Sequence, residues 1–227
     1  MYRRLINPLQ QSVFSISLTF LVAFHVANAQ AADPASMQLR HFIKDVQQAK
    51  GEFSQKTVTE QQKDQNKQKG TFAFNRQKGQ FLWEVNTPYE QLILADGQRL
   101  IQYDPDLSQA TERELEDAVG SSPAAILFGS RRIDDAFEIQ DLKTDDLAQK
   151  TQTQKFAWLR ATPKSAEAGF QYVDMGFYNS MPQQLIIVDS FGQQSDITLK
   201  SIETNIDLPA NLFEFQIPDG VDFIKLQ

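Results

Sequence analysis

The sequence predicts a mainly β protein: one strongly curved antiparallel sheet accompanied by a few short helices. Three observations lead there. Short runs of alternating apolar and polar residues recur along most of the chain, as half-buried strands require. Turn residues such as Lys78-Gly79, Asp96-Gly97 and Asp189-Ser190-Phe191-Gly192 punctuate those runs. Only three segments carry helical signals, and all of them are short.

The chain starts with Arg3 and Arg4, then an apolar run over residues 13–26, then Ala27-Asn28-Ala29. A basic start, a short apolar core and an Ala-x-Ala end describe a secretory signal peptide. The run falls short of the ~20 apolar residues of a spanning helix and contains Ser, Thr and His. Cleavage is expected near residue 29, although Ala29-Gln30-Ala31 fits as well, leaving 30–227 as one domain. The chain has no cysteine, so it carries neither a lipid anchor on cysteine, nor a disulfide, nor a thiol nucleophile.

The first helix is expected to be capped by Asp33-Pro34 and to end at Lys50-Gly51. Its apolar stripe reads as Met37, Phe42, Ile43 and Val46, with Leu39 flanking. A strand follows over 52–60. Residues 61–69 hold no apolar side chain and read as an exposed, mobile hairpin loop.

Residues 70–111 read as four short strands. Phe72 and Phe74 share one face, then Phe81, Trp83 and Val85, then Ile101 and Tyr103. Arg76 ends the first of these rows and by parity points with its rings. Residues 112–119 suggest a short helix. Ser122 with Pro123 caps another that runs through Ile126, Leu127 and Phe128 to Gly129 and is apolar enough to need a sheet face. Further strands are expected at 137–139, 156–159, 169–178, 184–189 and 195–205.

A net charge of −7, more negative once Arg3 and Arg4 leave, offers no footprint for nucleic acid or anionic headgroups. Of the two histidines, His25 lies in the leader and His41 among Arg40, Lys44 and Asp45. One histidine without cysteine makes no zinc site, and no Ser-His-Asp set assembles around it. Asp104/Asp106, Asp134-Asp135 and Asp145-Asp146 are the acid pairs that a glycan hydrolase would need, yet they sit in turn or loop contexts. No catalytic residue, metal or cofactor is therefore assigned. The aromatic rows fit either a packed core or a cavity for a greasy ligand. Arg76 shifts the balance, because a guanidinium ending an inward row needs acceptors, which a cavity rim or a structural salt bridge would equally supply.

Several segments together resemble one family: Phe81-Leu82-Trp83-Glu84-Val85, Thr87-Pro88, Leu92-Ile93-Leu94-Ala95-Asp96-Gly97, Tyr103-Asp104-Pro105, Gln109-Ala110-Thr111, Ser122-Pro123-Ala124-Ala125, and the ending Phe213-Glu214-Phe215, Pro218, Gly220-Val221. In order and spacing they resemble the LolA family, periplasmic carriers that move lipoproteins from the inner to the outer membrane of Gram-negative bacteria. The resemblance implies an incomplete antiparallel β-barrel of about eleven strands with a lid of short α-helices. It implies a soluble, monomeric periplasmic chaperone without enzymatic activity. It implies three partners: acylated lipoproteins as cargo, an inner-membrane lipoprotein-releasing ABC transporter as donor, and a lipid-anchored outer-membrane receptor as acceptor.

Phe72, Phe74, Phe81, Trp83, Val85, Ile101, Tyr103, Leu127, Phe128, Phe156 and Trp158 would line the lipid site. Arg76 would gate the lid by hydrogen-bonding lid carbonyls in the closed state. One departure is Gln77, where the family commonly has proline after that arginine. A periplasmic lipoprotein-sensing module of the same fold and a glycan-active hydrolase are the alternative readings.

Overall fold

Twelve strands make one open sheet in the order β12-β6-β5-β4-β3-β2-β1-β11-β10-β9-β8-β7. The computed structural model describes residues 33–59, 62–115, 126–127, 133–143, 156–165 and 168–226. The strands are β1 Gln48–Thr59, β2 Gln62–Asn75, β3 Gln80–Thr87, β4 Gln91–Asp96, β5 Arg99–Asp104 and β6 Gln109–Glu114. The second half supplies β7 Phe137–Leu142, β8 Ala157–Pro163, β9 Phe170–Tyr178, β10 Met181–Asp189, β11 Gln194–Thr204 and β12 Asp222–Lys225. The expected open sheet of about eleven antiparallel strands is matched by β1–β11, and β12 adds a short strand parallel to β6. The stretch expected to hold four strands holds parts of five, β2 to β6.

Turn chemistry closes the hairpins where the sequence placed it. Gly79 (φ 65°) and Gly97 (φ 103°) occupy the left-handed region, which costs a glycine little. The Asp96 carboxylate accepts from the backbone N–H groups of Gln98 and Arg99, and Asp189 does the same for Phe191 and Gln193.

Helix α1, Ala35–Asp45, buries Ala35, Gln38, Leu39 and Phe42, with Val46 just beyond its end. These positions follow the i, i+3, i+4, i+7 spacing of one helical face. Leu39 is central to the stripe rather than flanking, and Met37 is exposed, 45%. The helix stops at Asp45, five residues before the expected Lys50, because Asn205 intercepts the chain. The Asn205 side chain donates to the Asp45 carbonyl and accepts from Gln47 N–H, each at 2.9 Å, and β1 begins at Gln48.

Two other expectations fail for related reasons. Residues 62–69 are strand, not loop: β2 pairs with β1 out to Thr59↔Gln62. Backbone hydrogen bonds keep such a segment extended without apolar side chains, and Lys67 and Lys69 stand exposed. Residues 112–114 belong to β6 rather than to the expected helix, of whose described positions only Leu115 is helical. Their charges, which resemble an exposed helix face, are cross-strand partners: Glu112 binds Arg99 of β5 and Lys225 of β12, both at 3.1 Å. The remaining positions of that helix (116–119), the Ser122-Pro123 cap, Phe128, Asp145-Asp146 and the expected signal peptide 1–29 lie outside the described residues. Residues 126–127 are helical and buried.

Alternation sorts the sheet into two apolar faces. The inner face, covered by α1, holds the main core, including Phe53, Phe72, Phe74, Phe81, Leu159, Met175 and Phe177. The outer face of β2–β5 carries Ala73, Leu82, Leu94 and Ile101 under Phe213, Leu208, Leu212 and Phe215. The C-terminal segment thus covers one side, and β12 then occupies the edge of β6, which blunts an otherwise open edge strand. Among the described residues no helix is long and apolar enough to cross a membrane.

Two glycines let the inner face pack. A Cβ on Gly70 would lie 1.9 Å from the Glu84 carbonyl oxygen, and one on Gly51 would lie 2.7 Å from the Phe72 ring. Backbone cannot yield as a side chain does, so Gly70→Ala should destabilise the protein by about 2–3 kcal/mol. Urea unfolding followed by circular dichroism checks this; a change below about 0.5 kcal/mol would mean that β2 and β3 adjust freely.

Candidate functional site

Register builds the inner face as cross-strand rows. Phe74, Phe81, Ala95, Leu100 and Arg113 oppose one another in turn across β2 to β6. The next row is Phe72, Trp83, Ile93, Gln102 and Thr111. Residues directly opposite in an antiparallel pair project to the same side, so each row is a continuous strip. Trp83 stacks on Phe53 with ring centroids 3.7 Å apart, and Val85 extends the strip on β3.

Of the residues singled out from the sequence, Phe72, Phe74, Phe81, Trp83 and Val85 come together on this face, and Leu127 joins the same core. Ile101 and Tyr103 do not: Ile101 packs in the outer cluster, and the Tyr103 ring lies 5.4 Å from that of Phe215. Trp158 also points away, because its neighbours Leu159 and Ala161 face the inner core. It is buried against Gly176, whose missing Cβ leaves room for the indole. Phe156 sits beside it, 6.2 Å between centroids.

Arg76 sits where β2 ends. Residues Arg76–Lys78 form a single 3-10 turn, with the Asn75 side-chain oxygen accepting from Lys78 N–H at 3.2 Å. Gly79 closes that turn and Arg76 N–H donates to the Gln47 carbonyl. The guanidinium is thereby turned inward, 5% exposed, with its carbon 5.6 Å from the Phe42 ring centroid and 5.0 Å from that of Phe74. Its Nε donates to the Val46 carbonyl at 3.1 Å and Nη2 to the Leu127 carbonyl at 2.9 Å. Burial lowers its pKa to about 10, so it remains a cation at neutral pH. A buried cation is tolerated only with its donors satisfied, and the planar fork reaches two separate chain segments at once. One side chain therefore ties the end of α1 and the helical residues 126–127 to the rim of β2.

A cleft of about 550 Å³ opens beside this latch, lined by Arg40, Lys44, Gln47, Gln77 and Ile133 with Arg76. Across it Arg40 grips Asp134 of the short helix Ile133–Ala136 through two hydrogen bonds of 2.5 and 2.9 Å. The bond from Arg40 holds the Asp134 carboxyl below the usual range. Ser36 binds Asp141 of β7 through both its backbone N–H and its hydroxyl. Asp134, an acid considered for catalysis, is thus committed to fastening α1. His41 is exposed, and among the described residues no cluster of three metal-binding side chains occurs. The Arg40–Asp134 pair and the two carbonyl acceptors carry no sequence signal. The Asn75 cap does, as an asparagine next to a glycine-closed turn.

The family model described as "Outer membrane lipoprotein carrier protein LolA" matches residues 44–216. An outer-membrane lipoprotein carrier protein of Bordetella avium is 46% identical over 195 residues, covering 86% of this chain and 89% of that protein. One from Cupriavidus pinatubonensis is 41% identical over 206 residues, covering 89% and 92%. An uncharacterised conserved protein of Thermus thermophilus shares the fold, with a TM-score of 0.52 at 7% identity, over 85% of this chain and 99% of that one.

If Asn75 aims the latch, Asn75→Ala should cost about 1 kcal/mol, as for a lost helix cap, and should shift the Arg76 Nε–H resonance. An unmoved Nε–H signal in a destabilised variant would show that Asn75 supports the turn without orienting the guanidinium.

Proposed function

The chain belongs to the LolA family of outer-membrane lipoprotein carrier proteins, and we propose that it carries lipoproteins with their acyl chains against the inner apolar face of the sheet. The observation that carries this reading is the latch: an apolar face covered by α1 and fastened by one buried arginine to carbonyls of two segments. A core that only had to be stable would gain from an apolar side chain at that place. A lid that must open and close gains from a polar tether that can be broken and remade.

Magnitudes support reversible loading. Burying an acyl chain of about fifteen methylenes is worth about 12 kcal/mol at ~0.8 kcal/mol each. Breaking the bonds from this charged donor to Val46 and Leu127 costs about 3–6 kcal/mol. Cargo can therefore open the latch, and the open form holds the chain less tightly than the apolar face alone would. That difference favours hand-over to a receptor without nucleotide hydrolysis at this protein.

Phe72, Phe74, Phe81, Trp83 and Val85 are the lining residues of this reading, with Leu127 on the cover. The cell compartment is the periplasm, reached after removal of residues 1–29. The donor is an inner-membrane lipoprotein-releasing ABC transporter and the acceptor a lipid-anchored receptor of the outer membrane.

Arg76→Leu keeps much of the bulk and removes every donor. Loading from the donor should persist, because the apolar surface is untouched, while hand-over should slow by about tenfold or more. A labelled lipoprotein followed separately through loading and transfer, alongside thermal unfolding, checks this. Normal transfer by the Leu variant would refute gating. A large loss of stability with both steps gone would make Arg76 a structural residue only.

A further inference from the structure

Arg113 ends the inner row that begins at Phe74, lying opposite Leu100 on the same face. It is half-buried, and its Nε, shielded from solvent, has no hydrogen-bond partner. Arg76, beside Phe74 at the other end of the row, is fastened; Arg113 makes no ion pair among the described residues. Its sequence neighbours cannot serve it, because alternation sends Glu112 to the other face, where Arg99 and Lys225 hold it. A buried donor left unmade costs about 1–3 kcal/mol, so such a group in a binding face points to an acceptor that arrives with the ligand.

The surroundings agree. In the adjacent row the positions on β5 and β6 are Gln102 and Thr111, whereas those on β2 to β4 are Phe72, Trp83 and Ile93. The face is therefore apolar on one side and polar on the other. Three strand spacings of about 4.8 Å separate Phe81 from Arg113, so a chain lying across the row would place its polar end at the arginine.

Resting on the carrier reading, we propose that Arg113 is a head-group subsite: its guanidinium receives the ester or amide carbonyl oxygen through which an acyl chain joins the rest of a lipid. The acyl body fills the apolar rows, and the carbonyl sets which way round it lies.

The test compares two lipids that differ only in that oxygen, 1-palmitoylglycerol and its ether counterpart 1-O-hexadecylglycerol, with binding measured by calorimetry below micelle formation. The protein should bind the ester about tenfold more tightly than the ether. The ester alone should shift the Arg113 Nε–H resonance. Arg113→Met should bind both lipids with the affinity of the ether, and Arg113→Lys, which keeps the charge but not the fork, should recover part of the difference. Should the Met variant fail to fold, the Lys variant and the Nε–H shift decide. Equal affinity of the unaltered protein for both lipids, or a preference that survives in Arg113→Met, would overturn the subsite while leaving the carrier reading intact. Binding of neither lipid would overturn both.

Discussion

A guanidinium held among phenylalanine rings is stable only while carbonyl oxygens surround it, and this protein is organised around meeting that demand at Arg76. The acceptors come from the end of α1 and from residues 126–127, two segments far apart in sequence. Satisfying one charge therefore fixes both covers over the sheet. Losing either carbonyl removes an acceptor from a desolvated cation, so the two attachments support each other. The apolar contacts of Leu39 and Phe42 resist opening gradually, area by area. The latch adds a threshold to that slope.

The two faces of the sheet are treated differently. Outside, the C-terminal segment lays Phe213 and Phe215 against β3 to β5 and continues into β12, which Lys225 and the Glu112 carboxylate pin to β6. That cover ends in a strand of the same sheet. Inside, the cover is helical, and α1 is held by side chains: Arg40 to Asp134, Ser36 to Asp141 and the Arg76 latch. Exposed ion pairs such as Arg40–Asp134, both partners more than half exposed, contribute ~1 kcal/mol or less. They position the helix more than they stabilise it. An outer cover that ends in the sheet and an inner one held by side chains suit the proposed carrier, which would expose one apolar face on demand.

Much of this was legible in the residues. Alternation at Phe72, Phe74, Phe81, Trp83 and Val85 identified one continuous face, and the turn residues located the hairpins. Which face each later strand presents was not legible, because register depends on loop length. The two-residue turn Gly97-Gln98 pairs Ala95 with Leu100, so Leu100 rather than Ile101 faces inward. On β8 both Trp158 and Leu159 are apolar and buried, and a pattern without polar partners cannot say which points in. The end of α1 has no local trace, because an asparagine at position 205 terminates it. Residues 62–69 carry the polarity of a loop, whereas backbone pairing to β1 needs no apolar side chain. The tether at Arg76 could be anticipated from its place in the row, but not its carbonyl partners.

The two tryptophans of the chain lie on opposite faces, Trp83 inside and Trp158 outside, which allows the central claim to be read directly. Single-tryptophan variants, Trp158→Phe and Trp83→Phe, would be loaded with a lipid whose acyl chain carries bromine, a quencher acting at contact range. The account predicts strong quenching of Trp83 in the first variant and none of Trp158 in the second. Quenching of Trp158 with Trp83 unaffected would place the cargo on the outer face and contradict it.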